Sequence, residues 1–424
     1  MRKLALRRPH VRKYEGDNGV TVLHEENPYS RAFCLGVWIK TGSRDEAGRE
    51  EGLVHFFEHM LFKGTRKRSA FEISQALEKV GGSLDAFTTK EQICVYAQVL
   101  RDHADLAVDV IDDMLLDATF APEQIETERQ VVLGEIRDVM DAPDDVIHDF
   151  FASEVFPGHP LGRPILGTPK TVSSFCREDL VRFRRRCLRT GNVIVSVFGS
   201  PDRRVLRSVC DTAFRFPDGK VPVSRSRLPR YKPVRRHHRR VLNHQHICIG
   251  GRAASYLDPM RYPQTVLTTL LGGGMSSRLF QRIREDLGFA YSVYTYAESA
   301  RDVGLAATYM AVKPENAGAA VAEVFRELAK IKNGGITRTE LKDTKEQIKG
   351  KILLGLESSA AKMMRNARNE VYYGRQVSDR EIIERVDRVK LDDVLESASE
   401  LLDGSMNTIV SLGPSSAGLK TALR

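Results

Sequence analysis

The sequence predicts an α+β protein of two related halves, each an antiparallel sheet with helices packed on one face. Residues 95–115 and residues 306–328 have the same order: an alternating strand, a charged turn and an amphipathic helix. Two short strands after a glycine pair, at residues 81–100, are matched by a hairpin pattern at residues 291–312. These matching patterns predict an internal duplication.

A basic, proline-rich segment predicts the domain boundary. We predict a first half over residues 1–215, a linker over 216–236 and a second half over 237–424. The stretch 216–240 holds nine Lys or Arg residues and one Asp, which accounts for most of the net charge of +9. Such a run is usually a solvated linker. Nucleic-acid binding by this linker is an alternative, but we expect no nucleic-acid partner because the rest of the chain is near neutral.

Composition excludes several classes of protein. An apolar content of 42% and a charged content of 29% fit a globular chain of 424 residues. No apolar run approaches the roughly 18–20 residues of a membrane-spanning helix, so we expect no membrane partner. The six cysteines form no CxxC pair, which predicts reduced thiols. The basic residues 1–13 lack the apolar core of a signal peptide. We therefore predict a cytoplasmic, bacterial setting, with the mitochondrial matrix as the alternative.

The segment LVHFFEHMLF, residues 53–62, places titratable groups in an otherwise apolar helix. His55 and His59 are four residues apart, which puts them on one helical face with their Cβ atoms about 6 Å apart. Glu58 lies on the same side and need not be a ligand. This H-x-x-E-H pattern is the inverzincin motif of zinc peptidases. The alternative interpretation is a pair of buried, hydrogen-bonded histidines with a paired glutamate. If the motif binds a catalytic zinc ion, a third protein ligand must come from elsewhere in the chain.

The segment IETERQVVLGEIRDVMD, residues 125–141, is the candidate source of that third ligand. Glu128 and Glu135 are seven residues apart, so both project from one face two helical turns apart. One of them could reach the metal, and the other could orient a ligating histidine. The alternative is a solvated acidic face. That alternative explains each glutamate separately but not their coincidence with the histidine pair.

With these motifs, the chain resembles the pitrilysin family of zinc peptidases, which includes insulin-degrading enzymes and mitochondrial processing peptidases. The resemblance rests on LVHFFEHMLFKGT and on Glu135, which follows His59 by 76 residues. It extends over about residues 15–415. In length and in its single pair of halves the chain is most similar to the bacterial processing-peptidase-like branch.

The resemblance implies a role for each motif residue. One Zn²⁺ per chain would be bound by His55, His59 and Glu135. Glu128 would not bind the metal but would orient a ligating histidine. Glu58 would be the general base that activates water and later protonates the leaving amine. Manganese or cobalt are alternatives for the metal.

The resemblance also implies substrate contacts. The family pairs an extended peptide with the strand after the glycine pair, which here contains Asp85, Ala86 and Phe87. The family usually has Asn at the position of Asp85, so the contact at that residue is open. Arg284 and Tyr291, seven residues apart in the second half, match an Arg and a Tyr that the family contributes to catalysis. The second half has no H-x-x-E-H motif, and we interpret it as a degenerate copy that closes the active site.

From these residues we predict a zinc metalloendopeptidase that hydrolyses extended peptides or unfolded segments inside a cleft or chamber enclosed by the two halves. The alternative is a non-catalytic family subunit that acts in binding or assembly. Retention of every motif position favours the enzyme. The expected partners are peptide substrates and a second copy of the chain in a homodimer. A heterodimer with an inactive homologue is the alternative assembly.

Overall fold

The computed structural model describes residues 11–221, 227–402 and 408–414. Residues 222–226 of the predicted linker and most of the basic N-terminal segment lie outside the described residues. The chain divides into two compact units, each built from three segments. The first unit comprises Met1–Arg137, Arg163–Ser226 and Leu354–Ser378, and the second comprises Asp138–Gly162, Arg227–Leu353 and Asp379–Arg424.

The described residues form eleven strands and fourteen α-helices. The strands are β1 (Val11–Glu15), β2 (Thr21–Glu25), β3 (Ala32–Ile39), β4 (Ser83–Thr88), β5 (Ile93–Leu100), β6 (Val193–Phe198), β7 (Arg235–Arg239), β8 (Gln245–Ala253), β9 (Ala290–Ser299), β10 (Gly304–Val312) and β11 (Thr408–Gly413). The helices are α1 (Leu53–Leu61), α2 (Ala70–Glu78), α3 (Ala104–Asp117), α4 (Pro122–Asp141), α5 (Pro143–Val155), α6 (Pro169–Val172), α7 (Arg177–Cys187), α8 (Arg203–Asp211), α9 (Arg261–Gly272), α10 (Ala317–Lys332), α11 (Arg338–Gly355), α12 (Ser359–Tyr373), α13 (Asp379–Arg388) and α14 (Leu391–Leu402). The predicted strand–turn–helix segments are β5–α3 and β10–α10.

The sheet of the first unit has six strands in the order β1-β2-β6-β3-β5-β4. All neighbours are antiparallel except β2 and β6, which are parallel. The predicted antiparallel sheet is therefore mixed. The parallel pair forms because a long helical crossover separates β6 from the earlier strands and brings it back alongside β2 in the same direction.

Helices cover both faces of this sheet, whereas the sequence predicts helices on one face. One face packs against α1 and α3 through residues such as Val37, Phe57 and Ile111. The other face packs against α12, where Trp38 of the sheet lies in one apolar cluster with Met363. β3 reads AFCLGVWI and is buried over nearly its whole length. Such a continuous apolar run is typical of a strand that is covered on both sides.

The sheet of the second unit repeats the architecture of the first. Its five strands have the order β7-β11-β8-β10-β9, and β7 and β11 form the parallel pair. In the first unit β2-β6-β3-β5-β4 have the same chain order and the same directions. The predicted α+β class and the two related halves are confirmed.

Each compact unit includes one helix from the opposite half of the sequence. α5 precedes the linker but packs on β8 and β11 of the second unit. α12 follows the linker but packs on β3 and β6 of the first unit. The compact units therefore do not follow the chain order of the predicted halves, because residues on either side of the predicted linker at 216–236 contribute to each unit.

Two further expectations from composition concern membrane helices and cysteines. Within the described ranges, none of the helices is both long and apolar enough to cross a bilayer. All six cysteines are free, and four of them are buried.

Candidate metal centre

The motif helix α1 begins at a tightly fixed turn. Gly52 precedes the helix with a φ of 89°, a left-handed conformation that favours glycine. A Cβ at this position would lie 2.5 Å from the carbonyl oxygen of Leu166. The buried carboxylate of Glu46 accepts hydrogen bonds from the N–H groups of Gly52 (3.0 Å) and Val54 (2.8 Å). These bonds satisfy helix N-terminal donors immediately before His55.

Replacing Gly52 with alanine is expected to lower the free energy of unfolding by about 1–3 kcal/mol, because the new Cβ meets both steric and backbone strain. Urea or thermal unfolding measures the change. Gly350 lies within α11 with open space around it. Gly350→Ala is the matched control and is expected to stabilise by up to about 1 kcal/mol. Equal stability of Gly52→Ala and the wild type would contradict the strain at this turn.

Three ligand-type atoms converge in the first unit. The Nε2 atoms of His55 and His59 are 3.2 Å apart. Glu135 Oε2 on α4 lies 3.6 Å from His59 Nε2 and 3.9 Å from His55 Nε2. His55, His59 and Glu135 are the cluster of potential metal ligands found among the described residues.

The spacing of these atoms fits a tetrahedral zinc ion. Ligand atoms at about 2.1 Å from a tetrahedral ion are separated from each other by about 3.4 Å. The three interatomic separations in the structure lie on either side of that value. Burial, followed by the charge of His59, lowers the pKa of His55 to about 3. His55 is therefore neutral at pH 7, which is the form that binds a metal.

Glu128 lies behind the histidine pair and fixes one ring. Its Oε1 is 2.7 Å from Nδ1 of His59, and its Oε2 is 2.6 Å from Nζ of Lys63. Burial raises the pKa of Glu128, but the hydrogen bonds from His59 and Lys63 outweigh it and lower the pKa overall. When the His59 ring is neutral, an N–H at Nδ1 that donates to Glu128 leaves Nε2 unprotonated toward Glu135.

Removing the Glu128 carboxylate is expected to weaken zinc binding by about 10- to 100-fold, because the His59 ring loses its orienting acceptor. Glu128→Ala is compared with wild type by competition against a chelator of known affinity. Glu126→Ala is the control, since Glu126 is an exposed residue of α4 that pairs with Arg129. Unchanged affinity in Glu128→Ala would show that the His59 contact is not needed.

Glu58 is held beside the cluster by a residue that the motif does not contain. The hydroxyl of Thr88, at the end of β4, donates to Glu58 Oε2. Burial raises the pKa of Glu58, and the hydrogen bond from Thr88 opposes that rise. The negative charges of Asp85 and Glu135 also raise it. Glu58 is thus a restrained carboxylate within electrostatic reach of the candidate metal ligands.

The residues that the sequence predicts for substrate binding lie on β4. This strand is the last in the sheet order, and its other edge has no strand partner within the described part of the chain. Asp85 is exposed, and Ala86 and Phe87 are half-buried. Thr88 and Lys63 were not predicted. The sequence signals that could have indicated them are the position of Lys63 four residues after His59 and the position of Thr88 at the end of the predicted strand.

Arg284 and Tyr291 belong to the second unit, whereas the three potential ligands belong to the first. Arg284 lies in a π-helical turn, Phe280–Asp286, and Tyr291 is in β9. The Arg284 guanidinium carbon is 4.7 Å from the ring centre of Phe280 and 5.3 Å from that of Tyr291. Tyr291 is 81% exposed. The predicted pair is thus in contact within its own unit, and its catalytic role stays a prediction.

A helical H-x-x-E-H motif completed by a distal glutamate is the site architecture of a metallopeptidase. Two family models match the chain: "Insulinase (Peptidase family M16)" over residues 21–169, and "Peptidase M16 inactive domain" over residues 174–348. An uncharacterized zinc protease of Bacillus subtilis, YmxG, is 37% identical over 92% of this chain and 95% of its own length. An uncharacterized zinc protease of Streptomyces coelicolor, SCO5738, is 36% identical over 95% of this chain and 90% of its own length. The chain belongs to the M16 peptidase family.

Solved structures show the same fold at low sequence identity. A protease from Helicobacter pylori has a TM-score of 0.90 and 21% identity, with 96% of this chain and all of that chain covered. A Pseudomonas fluorescens protein described as a peptidase M16 inactive domain has a TM-score of 0.88 and 19% identity, with 96% of this chain and 99% of that chain covered. These likenesses support the two-unit α+β fold.

Proposed function

We propose that the chain is a zinc metalloendopeptidase that hydrolyses peptide bonds in extended peptides or unfolded segments. The observation that carries the proposal is the convergence of His55, His59 and Glu135 at zinc-ligand spacing, with Glu58 on the same helix. Curated relatives named zinc proteases, 36–37% identical over more than nine-tenths of the chain, support it.

In this proposal His55, His59 and Glu135 hold one Zn²⁺. The ion supplies Lewis acidity and makes water nucleophilic at neutral pH. Glu58 accepts a proton from the attacking water and later delivers a proton to the leaving amine. Thr88 keeps the Glu58 carboxylate oriented through its hydroxyl. Glu128 keeps the His59 ring in the tautomer whose Nε2 is available as a ligand.

The peptide in this proposal adds to the sheet along the outer edge of β4. Strand addition uses main-chain hydrogen bonds, so it selects extended chains with little regard to their sequence. β4 carries Asp85, Ala86 and Phe87 and ends at Thr88, the partner of Glu58. A peptide on that edge therefore runs toward the general base. Folded proteins, which lack free extended segments, are not substrates in this scheme.

Arg284 and Tyr291 are proposed to contact the substrate. A guanidinium can bind a substrate carbonyl or carboxylate, and a phenol can donate to a developing oxyanion. The cation–π contacts of Arg284 with Phe280 and Tyr291 limit the freedom of its side chain. Homodimer formation and a cytoplasmic location stay predictions.

The proposal is tested with the purified wild-type chain and a mixture of quenched fluorescent peptides. We expect cleavage that stops when a chelator removes the metal and returns when zinc is added back. A compact, folded protein offered in the same assay is expected to remain uncut. Zinc bound at about one per chain with no cleavage of any peptide would argue against the peptidase and favour a binding or assembly role.

A further inference from the structure

The outer edge of β4 is already occupied at one position by a side chain of the same strand. The N–H of Ala86 donates to Oδ1 of Asp85 at 2.8 Å. An N–H group has one hydrogen, so this group is not available to the neighbouring strand β5. In an antiparallel strand successive residues direct their N–H and C=O groups to alternate edges. Ala86 therefore presents its main chain to the edge where no strand pairs within the described residues.

A second hydrogen bond holds the Asp85 carboxylate in this position. The hydroxyl of Tyr96 donates to Oδ2 of Asp85 at 3.0 Å. Tyr96 is the residue of β5 directly opposite Asp85. Burial and the hydrogen bond to Asp85 raise the pKa of Tyr96 to about 12, so its hydroxyl stays protonated and remains a donor. Each oxygen of Asp85 thus has one partner.

We propose that Asp85 caps the peptide-binding edge of β4, so that a substrate main chain must displace the carboxylate before it pairs with Ala86. The inference rests on the proposed function for the identity of the peptide as substrate. A carboxylate is a strong acceptor for an N–H, and it competes directly with the peptide carbonyl that would take its place. An unpaired strand edge also invites pairing with other chains, and a charged side chain at the edge prevents it.

The cap gives Asp85 the opposite sign of effect from an ordinary substrate-binding residue. Removing a residue that only contacts the peptide would weaken binding. Removing the cap instead frees the Ala86 N–H and strengthens binding. Without Asp85, the peptide no longer has to replace an existing hydrogen bond of the Ala86 N–H. The free energy of one such bond corresponds to about threefold to tenfold tighter binding.

The test measures peptide binding without turnover, in zinc-loaded protein that carries Glu58→Gln. Fluorescence anisotropy with a labelled unstructured peptide gives Kd. Adding Asp85→Ala is expected to lower Kd about threefold to tenfold. Adding Tyr96→Phe, which releases one oxygen of the carboxylate, is expected to lower Kd by a smaller factor. Gln98→Ala, at an exposed residue of β5 two positions from Tyr96, is the matched control and is expected to leave Kd unchanged.

Amide hydrogen exchange at Ala86 tests the cap itself and needs neither metal nor substrate. We expect this amide to exchange about tenfold faster in Asp85→Ala than in the parent. Equal exchange rates, or weaker peptide binding in Asp85→Ala, would overturn the inference. If wild type cleaves peptides but Asp85→Ala binds them no more tightly, the cap fails while the proposed function stands. If nothing is cleaved but Asp85→Ala binds peptide more tightly, the cap stands while the proposed function fails.

Discussion

Glu58→Gln is expected to retain zinc and to lose peptide hydrolysis by about 100- to 10,000-fold, the range that general acid–base catalysis contributes. Glutamine has nearly the same shape and can still accept the hydrogen bond from Thr88, but it cannot take a proton from water. His55, His59 and Glu135 are unchanged, so the ligand set is complete. Activity on a quenched peptide and metal content by elemental analysis are measured on the same samples.

The control for Glu58→Gln is the same substitution at an exposed glutamate outside the candidate metal centre. Glu78 ends α2 and is exposed. Glu78→Gln is expected to match wild type in both activity and zinc content. If Glu58→Gln retained zinc and full activity, Glu58 could not be the general base. If Glu58→Gln lost its zinc as well, the residue would belong with the ligands rather than with the catalytic acid–base group.

Glu135→Ala is expected to lose zinc and, with it, all measurable hydrolysis. The variant leaves only the two histidines, and we expect affinity to fall by more than the 10- to 100-fold that loss of a supporting contact costs. The side chain of Glu135 is 38% exposed, so its removal opens no sealed cavity. The apoprotein is therefore expected to fold. Chelator competition measures affinity, and circular dichroism checks the fold.

A thermal shift provides an independent readout of the same loss. A metal that binds only the folded chain stabilises it by about 4 kcal/mol when its free concentration is a thousand times Kd. Added zinc is therefore expected to raise the melting temperature of wild type and of Glu126→Ala, but not that of Glu135→Ala. A full zinc-dependent shift in Glu135→Ala would remove Glu135 from the ligand set.

The candidate metal ligands could be identified from the sequence because helical periodicity fixes their positions within each helix. His55 and His59 share a face of α1, and Glu128 and Glu135 share a face of α4, where Glu128 is buried and Glu135 is more open. Spacing along one helix is a local property, so one sequence is enough to read it. The contact between the two helices was supplied by the family resemblance and not by periodicity.

What the sequence does not predict depends on packing between distant segments. The Thr88–Glu58 hydrogen bond joins a strand end to a helix 30 residues away. The parallel pair of β2 and β6 joins segments on either side of helices α1 to α7. The placement of α12 on the first sheet joins segments 167 to 357 residues apart, as the hydrogen bond from Ser196 to Met363 and the ion pair of Lys13 with Glu370 illustrate. No local pattern encodes such pairings.

The exchange of α5 and α12 has a consequence for how the polypeptide is made. A ribosome that has passed the linker has released every strand of the first sheet but not the helix that covers its second face. Trp38 and its apolar neighbours remain without that cover until residues of α12 emerge, well after the linker. The first unit therefore cannot complete its core during synthesis of its own half. A gene split at the linker would yield two fragments, each lacking one structural part, that reach the native state only when they fold together.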